Sequence, residues 1–423
     1  MNRSRVLLLS FCPPGTAETV SDHISAIRDL SRYDVFSYPH VGVLSPHIPN
    51  GIALSDFDIL VIHYSVYMVS DDYLSSEAKD EIRRFSGTKV LFVQDEYRQI
   101  IRLHQQMTRL GIDILFTCVP TGEVEKVYPS SLFPSLRKIT CLTGYVPERL
   151  LGMNVLPIAQ RSLDVGYRAR KPPYWLGELS AEKWQIVPRF LSHTHETGLK
   201  CDLSYQEEDR IYGADWVRFV SSCKTMLGVE SGASVFDFDG TIQQMVDEYL
   251  ARNPDTSFEQ VEDRFLQPHE GKIRLNQISP RCFEAAALRT TMVLFEGDYS
   301  GILQPWRHYV PLRKDFSNIS EVVNAIKNTS LLQEIADRAY REIALNPEYS
   351  YQGFVARFDT ALDAAPAIKG QIPRPPVSRT WFSITILPAA IFARLVQAWL
   401  MIPPAIRSRL KPLTGPLNSV LRR

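Results

Sequence analysis

The chain lacks most of the features that narrow a function quickly. Its 423 residues include six cysteines, Cys12, Cys118, Cys141, Cys201, Cys223 and Cys282, scattered singly. No CxxC pair and no neighbouring histidine cluster accompanies them, which argues against a zinc site and a disulfide framework and fits a reducing cytosol. Net charge is missing too, since 47 basic residues offset 47 acidic ones. No overall pull toward nucleic acid follows, so nucleic acid is not expected as a partner. No repeat recurs at a solenoid period. The N-terminal apolar run Val6-Leu7-Leu8-Leu9 is short and soon meets Cys12-Pro13-Pro14-Gly15, which reads as a buried strand rather than a signal peptide. A cytoplasmic location is expected.

What is present is a regular alternation. The first strand is followed by a helix over 17–30. The runs Phe57-Asp58-Ile59-Leu60-Val61-Ile62-His63, Lys89-Val90-Leu91-Phe92-Val93 and Ile112-Asp113-Ile114-Leu115-Phe116-Thr117 are further strands, with a charged helix over 75–85. Apolar strands alternating with helices mean βαβ units and a largely parallel sheet. After a break at 151–161 the pattern resumes. Strands are expected near Leu163, Cys201, Thr225, Thr290 and His308, and a helix over 183–197 carries Trp184, Val187, Phe190 and Leu191. Two closing helices show capping-box spacing, Asn318 with Glu321 and Ser330 with Gln333. The expected fold class is α/β, with two tandem Rossmann-like domains over 1–155 and 160–363 and an amphipathic tail over 364–423.

The tail is Pro-rich at 372–376 and apolar over 381–402, with Trp381 and Trp399 and interruptions at Pro388, Arg394 and Gln397. Arg407, Arg409, Lys411, Arg422 and Arg423 follow. The interruptions suit a helix lying in a membrane surface better than one crossing it. Peripheral contact with the inner face of a membrane is expected, the alternative being a helix packed on protein.

Chemistry concentrates in residues 278–301. Ser279-Pro280-Arg281-Cys282-Phe283-Glu284 opens a helix with an acid at its start, Met292-Val293-Leu294-Phe295 is a buried strand, and Glu296-Gly297-Asp298-Tyr299-Ser300-Gly301 is a polar loop at its carboxyl end. Open α/β sheets bind ligands there. A carboxylate accepts two sugar hydroxyls at once and loop amides hold phosphate, so a nucleotide-sugar site is the first expectation. In the first domain His63 and Asp95 end successive strands and are expected to face the crevice, where a base near an acceptor hydroxyl would stand. The alternative is a His63 bonded to backbone and an Asp95 capping the next helix. A louder motif is Asp237-Phe238-Asp239-Gly240-Thr241. It matches the DxDGT of haloacid-dehalogenase-type phosphatases, whose first Asp is a nucleophile and whose second is a general acid/base beside magnesium.

The tandem domains, the Phe283-Glu284-Ala285-Ala286-Ala287 segment and the following strand and glycine loop resemble glycosyltransferases of the GT-B architecture. The similarity is to the group-1, family-4-like branch and its spore-maturation-type relatives, over roughly 165–349, and topological over the first domain. It implies a nucleotide diphosphate sugar bound to the second domain. Glu284 would meet the ribose hydroxyls, Ser300 and Gly301 the diphosphate or sugar, and Arg168 and Lys183 the leaving group, with Arg170 and Lys171 competing for that role. His63 and Asp95 would face a glycan or lipid-linked acceptor, and no cofactor or metal is implied. Eight positions before Glu284, where family-4 enzymes usually carry a second acid, stands Asn276. Two alternatives stay open: a magnesium-dependent phosphatase using Asp237 and Asp239, and a two-domain binding protein without catalysis.

Overall fold

The computed structural model describes residues 4–13, 16–39, 41, 46–49, 51–364, 378–387 and 391. Its first sheet comprises β1 (Arg5–Leu9), β2 (Asp34–Tyr38), β3 (Ile59–Ile62), β4 (Thr88–Val93), β5 (Ile114–Thr117) and β6 (Arg137–Thr140) in the order β2-β1-β3-β4-β5-β6. Its second comprises β7 (Leu163–Arg168), β8 (Cys201–Ser204), β9 (Cys223–Gly228), β10 (Thr291–Phe295) and β11 (Tyr309–Leu312) in the order β11-β10-β9-β7-β8. All strand pairs are parallel. The expected α/β class with two tandem parallel-sheet units is found. Two strands, β2 and β6, had no counterpart in the expectation. β6 is an edge strand, Arg137-Lys138-Ile139-Thr140, without an apolar run.

Strand alternation decides what covers each face. In the first sheet Leu7, Leu9, Leu60, Ile62, Leu91 and Leu115 turn toward helices Ser76–Arg84 and Ile100–Leu110. Val6, Leu8, Val61, Val90, Phe92 and Phe116 turn the other way, onto helix Glu18–Leu30 and the distant helix Tyr351–Asp363. That last helix was expected with the second domain, yet Phe354 and Phe358, 1% and 0% exposed, seal the first sheet. Each contributes roughly 1.5–3 kcal/mol of burial. Asp359 fixes its register, its Oδ1 accepting from Ser31 Oγ at 2.6 Å and its Oδ2 from the Arg32 amide at 2.9 Å.

The units also meet through the segment between β9 and helix Pro280–Ala287. Phe236, Ile273 and Leu275 pack into the first unit's core. The Asp237 amide donates to Tyr97 O at 2.8 Å, Gln277 Nε2 to Cys118 O at 2.6 Å, and Thr143 Oγ1 to Ile278 O at 2.6 Å. In both sheets the first strand has later strands on either side, so the order reverses between β1 and β3 and between β7 and β9. Ligand crevices open outside the carboxyl ends of strands at such points.

Neither closing helix is capped as expected. Asn318 instead accepts from the Arg313 amide and donates to Pro311 O, while Asn328, not Ser330, caps helix Thr329–Ala339. Of the tail, residues 379–387 form a helix whose Phe382 packs on Phe36 and Phe57. The expected in-plane helix beyond it, and the Pro-rich and basic stretches, lie outside the described residues. Among the described residues no helix is long and apolar enough to cross a membrane.

Candidate functional site

The second unit's crevice is built from the ends of β7 and β9 and from three helices. β7 delivers Ala169 and Arg170, β9 leads to Val229 and Ser231, helix Pro280–Ala287 brings Arg281 and Glu284, helix Glu178–Thr194 brings Lys183, and helix Gly213–Ser222 brings Trp216. Gly177, at φ 84°, makes the turn that starts the Lys183 helix. Three cavities of about 130, 310 and 150 Å3 share Arg170 and Ser231 as walls and form one crevice.

Its electrostatics are one-sided. Arg170, Lys183 and Arg281 line it, and none of them forms an ion pair among the described residues. Burial, then the like charges of Arg281 and Arg170, push the Lys183 ammonium down to about 8. The Arg281 guanidinium lies 5.8 Å from the ring centres of both Tyr167 and Trp216, which leaves its charge uncompensated by any carboxylate at hydrogen-bond distance. Unpaired cations gathered beside helix amides form a site for an anion with several oxygens.

Glu284 stands at the rim. Trp216 Nε1 donates to its Oε2 at 2.7 Å, and Oε1 takes no hydrogen bond among the described residues. Burial raises its pKa, against the opposing pull of Trp216 and Arg281. It is the fifth residue of its helix rather than the first, so the indole and not the helix start holds it, contrary to expectation. Asn276 is also explained: its Nδ2 donates at 2.7 Å to Oε2 of Glu230, which is 4% exposed and also accepts from the amides of Asp298 and Tyr299. The carboxylate beside position 276 is thus that of Glu230, just past β9, with both oxygens occupied.

Several expected site residues are engaged elsewhere. Arg168 pairs with Asp202 at 2.8 Å and donates to the carbonyls of Tyr167, Asp202 and Asp209, so its donors are spent holding β7 to its neighbours. Ser300 and Gly301 do not line the crevice. Ser300 Oγ accepts from the Ile278 amide and donates to Gln277 Oε1, and the Gly301 amide closes a turn onto Asp298 O. Lys171 lies over the rings of Tyr174 and Trp184. His63 is 0% exposed, its Nε2 3.0 Å from His23 Nδ1 and its Nδ1 2.8 Å from Ser65 Oγ. Burial lowers the pKa of both imidazoles, His23 to about 3, so His63 is a neutral core group and not a base facing a ligand. Asp95 is where it was expected, exposed on the first unit's wall and shared between the cation-lined crevice and a cavity of about 560 Å3 behind it.

The phosphatase motif is structural. Asp237 is 0% exposed; its Oδ1 accepts from the Gly240 amide at 2.9 Å and its Oδ2 from the Gln243 amide at 2.8 Å, at the start of helix Thr241–Arg252. It leaves no strand of either sheet, and Asp239 accepts from the Thr241 amide. Both oxygens that a nucleophile would need are occupied by backbone. Arg170, by contrast, was expected only as a competitor for the leaving-group role, and Arg281 was passed over as a site residue, although Pro280-Arg281 after Ser279 marks a first helical turn.

No protein-family model matches the chain, and no curated protein matches it. Solved structures do. An alpha-glucosyltransferase in complex with UDP-glucose and DNA containing an abasic site superposes with a TM-score of 0.51 at 11% identity, covering 85% of this chain and 99% of that one. A second, in complex with UDP and a 13-mer DNA containing a HMU base, gives 0.50 at 10% identity with the same coverages. The chain has the GT-B fold. One expectation is corrected by these structures. Nucleic acid was excluded on net charge, in favour of a glycan or lipid-linked acceptor, yet both neighbours of this fold are complexes with DNA. A summed charge of zero says nothing about a cleft whose wall carries Arg170, Lys183 and Arg281 together.

Proposed function

We propose that the protein is a glycosyltransferase that moves a sugar from a nucleoside diphosphate donor to an acceptor hydroxyl. The observation that carries this reading is the convergence of Arg170, Lys183 and Arg281, unpaired, beside Glu284 with a free carboxylate oxygen. A diphosphate supplies the missing anion and a ribose supplies hydroxyls for Glu284. The UDP and UDP-glucose of the neighbouring structures make UDP-glucose the first donor to try. In the reaction the acceptor oxygen bonds to the anomeric carbon, the bond from that carbon to the diphosphate oxygen breaks, and the hydroxyl proton passes to Asp95. Charge on the departing diphosphate falls on the three cations, which on this reading do the work of a divalent metal. Calorimetry with UDP tests the assignment: micromolar binding that disappears in Arg281→Ala supports it, and an undetectable heat with every nucleoside diphosphate sinks it. Binding without turnover of UDP-glucose favours the non-catalytic alternative.

Peripheral membrane attachment is supported by Trp381, Ile384, Leu387 and Ile391, each 49–58% exposed, and by the basic residues that follow in sequence. Flotation with anionic liposomes tests it, and a protein that stays at the bottom of the gradient rules it out.

A further inference from the structure

Two of the six cysteines are set side by side by the first sheet. Strands β5 and β6 run parallel with Thr117 paired to Thr140, and the Cys141 amide carries the ladder one step further by donating to Thr117 O at 2.9 Å. Cys118 and Cys141 are therefore the next facing pair, turned to the opposite face from the two threonines. Neighbouring strands lie about 4.8 Å apart, inside the roughly 4.4–6.8 Å that a disulfide asks between its Cα atoms. Both are free thiols, Cys118 buried and Cys141 half-buried. The Cys118 thiol is hydrogen-bonded to Cys141, and that bond together with burial holds its pKa well above the ordinary thiol value. The other four cysteines are placed differently: Cys201 and Cys223 have β7 between their strands, and Cys12 and Cys282 lie on no strand.

The pair stands where the two units hold each other. Cys118 O accepts from Gln277 Nε2 at 2.6 Å, and Thr143, just past Cys141, donates through Oγ1 to Ile278 O at 2.6 Å. Each cysteine-bearing segment thus grips one of two successive residues that lead into helix Pro280–Ala287, the carrier of Arg281 and Glu284. The Cys118 amide also donates to Glu96 Oε1 at 2.6 Å, and Cys118 and Thr143 line the cation-lined crevice with Asp95.

We infer that Cys118 and Cys141 close reversibly to a disulfide, and that this bond weakens the second unit's hold on its donor. The effect on the donor rests on the transferase reading above; the bond does not. A small-molecule disulfide such as oxidised glutathione is the oxidant. Cys141, the more accessible sulfur, attacks it as a thiolate and displaces one glutathione thiolate, leaving a mixed disulfide. Cys118 then gives its proton to solvent and attacks the Cys141 sulfur, displacing the second glutathione. The protein loses two protons and two electrons, and one glutathione disulfide becomes two glutathione thiols. In a reducing compartment such a bond is transient and sensing, not a framework. Because the Cys118 thiolate is scarce, closure quickens as pH rises. A bond between the sulfurs draws the ends of β5 and β6 together, shifts both grips on Gln277 and Ile278, and so moves Arg281 and Glu284.

The full chain is incubated with oxidised glutathione at mildly alkaline pH, quenched with acid, and read by thiol titration in denaturant and by peptide mapping. Two of the six thiols should disappear into one peptide pair joining Cys118 to Cys141, and dithiothreitol should restore them. Cys118→Ser should stop at a mixed disulfide on Cys141, and Cys141→Ser should keep all its remaining thiols. In calorimetry the oxidised wild type should bind UDP about tenfold more weakly than the reduced form, as expected when a charge-assisted contact is displaced. Cys141→Ser should bind UDP equally before and after oxidant. Six thiols surviving the oxidant, two lost to another pairing, or a wild-type mixed disulfide that never closes each overturn the bond. A Cys118 to Cys141 bond that leaves UDP affinity unchanged overturns its effect on the donor. Absence of UDP binding in both states removes the donor reading and the regulation with it, while the peptide map still decides the bond.

Discussion

Two crevices face each other across this molecule, at the same topological position in two sheets of the same design. One is walled by three cations that form no ion pair among the described residues, the other mainly by aromatic and aliphatic side chains. The fold decides where a ligand goes, and unsatisfied chemistry decides which ligand. Arg168 makes the same point within one unit: two residues from Arg170 and in the same crevice, it carries an ion pair and three backbone contacts and so has nothing left to offer.

Asp95 stands on the boundary between the two crevices. Asp95→Asn should lower kcat about 10²–10⁴-fold while UDP affinity stays at wild type, because a base acts only in the chemical step. Equal losses in kcat and in UDP affinity would move Asp95 to the donor wall. Next in size, Arg281→Ala and Arg170→Ala should each weaken UDP about tenfold to a hundredfold, matching roughly 1.5–3 kcal/mol for a charge-assisted hydrogen bond. Arg168→Ala is the contrast, expected to lower the melting temperature more than the affinity.

Glu284→Gln keeps the Trp216 contact but not the charge, and about a tenfold loss of UDP affinity with no loss of uracil-free pyrophosphate binding is expected. Lys183 gives the pH signature. Its folded pKa lies at about 8, below the ordinary lysine value, so it loses its proton as pH rises through that value and UDP affinity falls there. Lys183→Met should bind more weakly at neutral pH and show a flatter profile; an unchanged slope would place the titrating group elsewhere. The smallest effect is Asp237→Ala, a lost helix-start contact costing about 1 kcal/mol in a denaturation midpoint, with donor binding intact. Magnesium-dependent phosphate release that this substitution abolished would restore the phosphatase reading.

The sequence carried the sheets and little of the site. Buried strands such as Val6-Leu7-Leu8-Leu9 and Met292-Val293-Leu294-Phe295 are covered on both faces and therefore announce themselves as unbroken apolar runs. An edge strand such as β6 is half in water and has no such run. Asp95 could be placed on the crevice wall because strand ends are predictable from neighbouring residues, whereas Glu284, expected at a helix start, lies a turn inside its helix and is held by Trp216. Arg281 could not be separated from Arg168, since only the fold shows that one has a partner and the other has none. His63 follows its strand as expected, but its neutral state comes from burial, to which His23, forty positions earlier in the chain, adds. Asp237 kept a phosphatase alternative open, because two carboxylates near a glycine serve a helix start as well as they serve a metal.

The return of helix Tyr351–Asp363 to the first sheet bears on how this protein can be cut. The chain leaves the first unit after β6 and comes back beside its own exit, where Val146 and Ser350 form a bridge and the Val146 amide donates to Tyr349 O at 2.8 Å. The amino-terminal half is therefore not a contiguous stretch of sequence. A fragment ending near residue 150 would lack Phe354, Val355 and Phe358 and leave Val6, Leu8 and Phe92 open to water, an invitation to aggregate. Separating the two halves for study calls for a circular permutation that rejoins the last helix to the first strand, not for a stop codon between them.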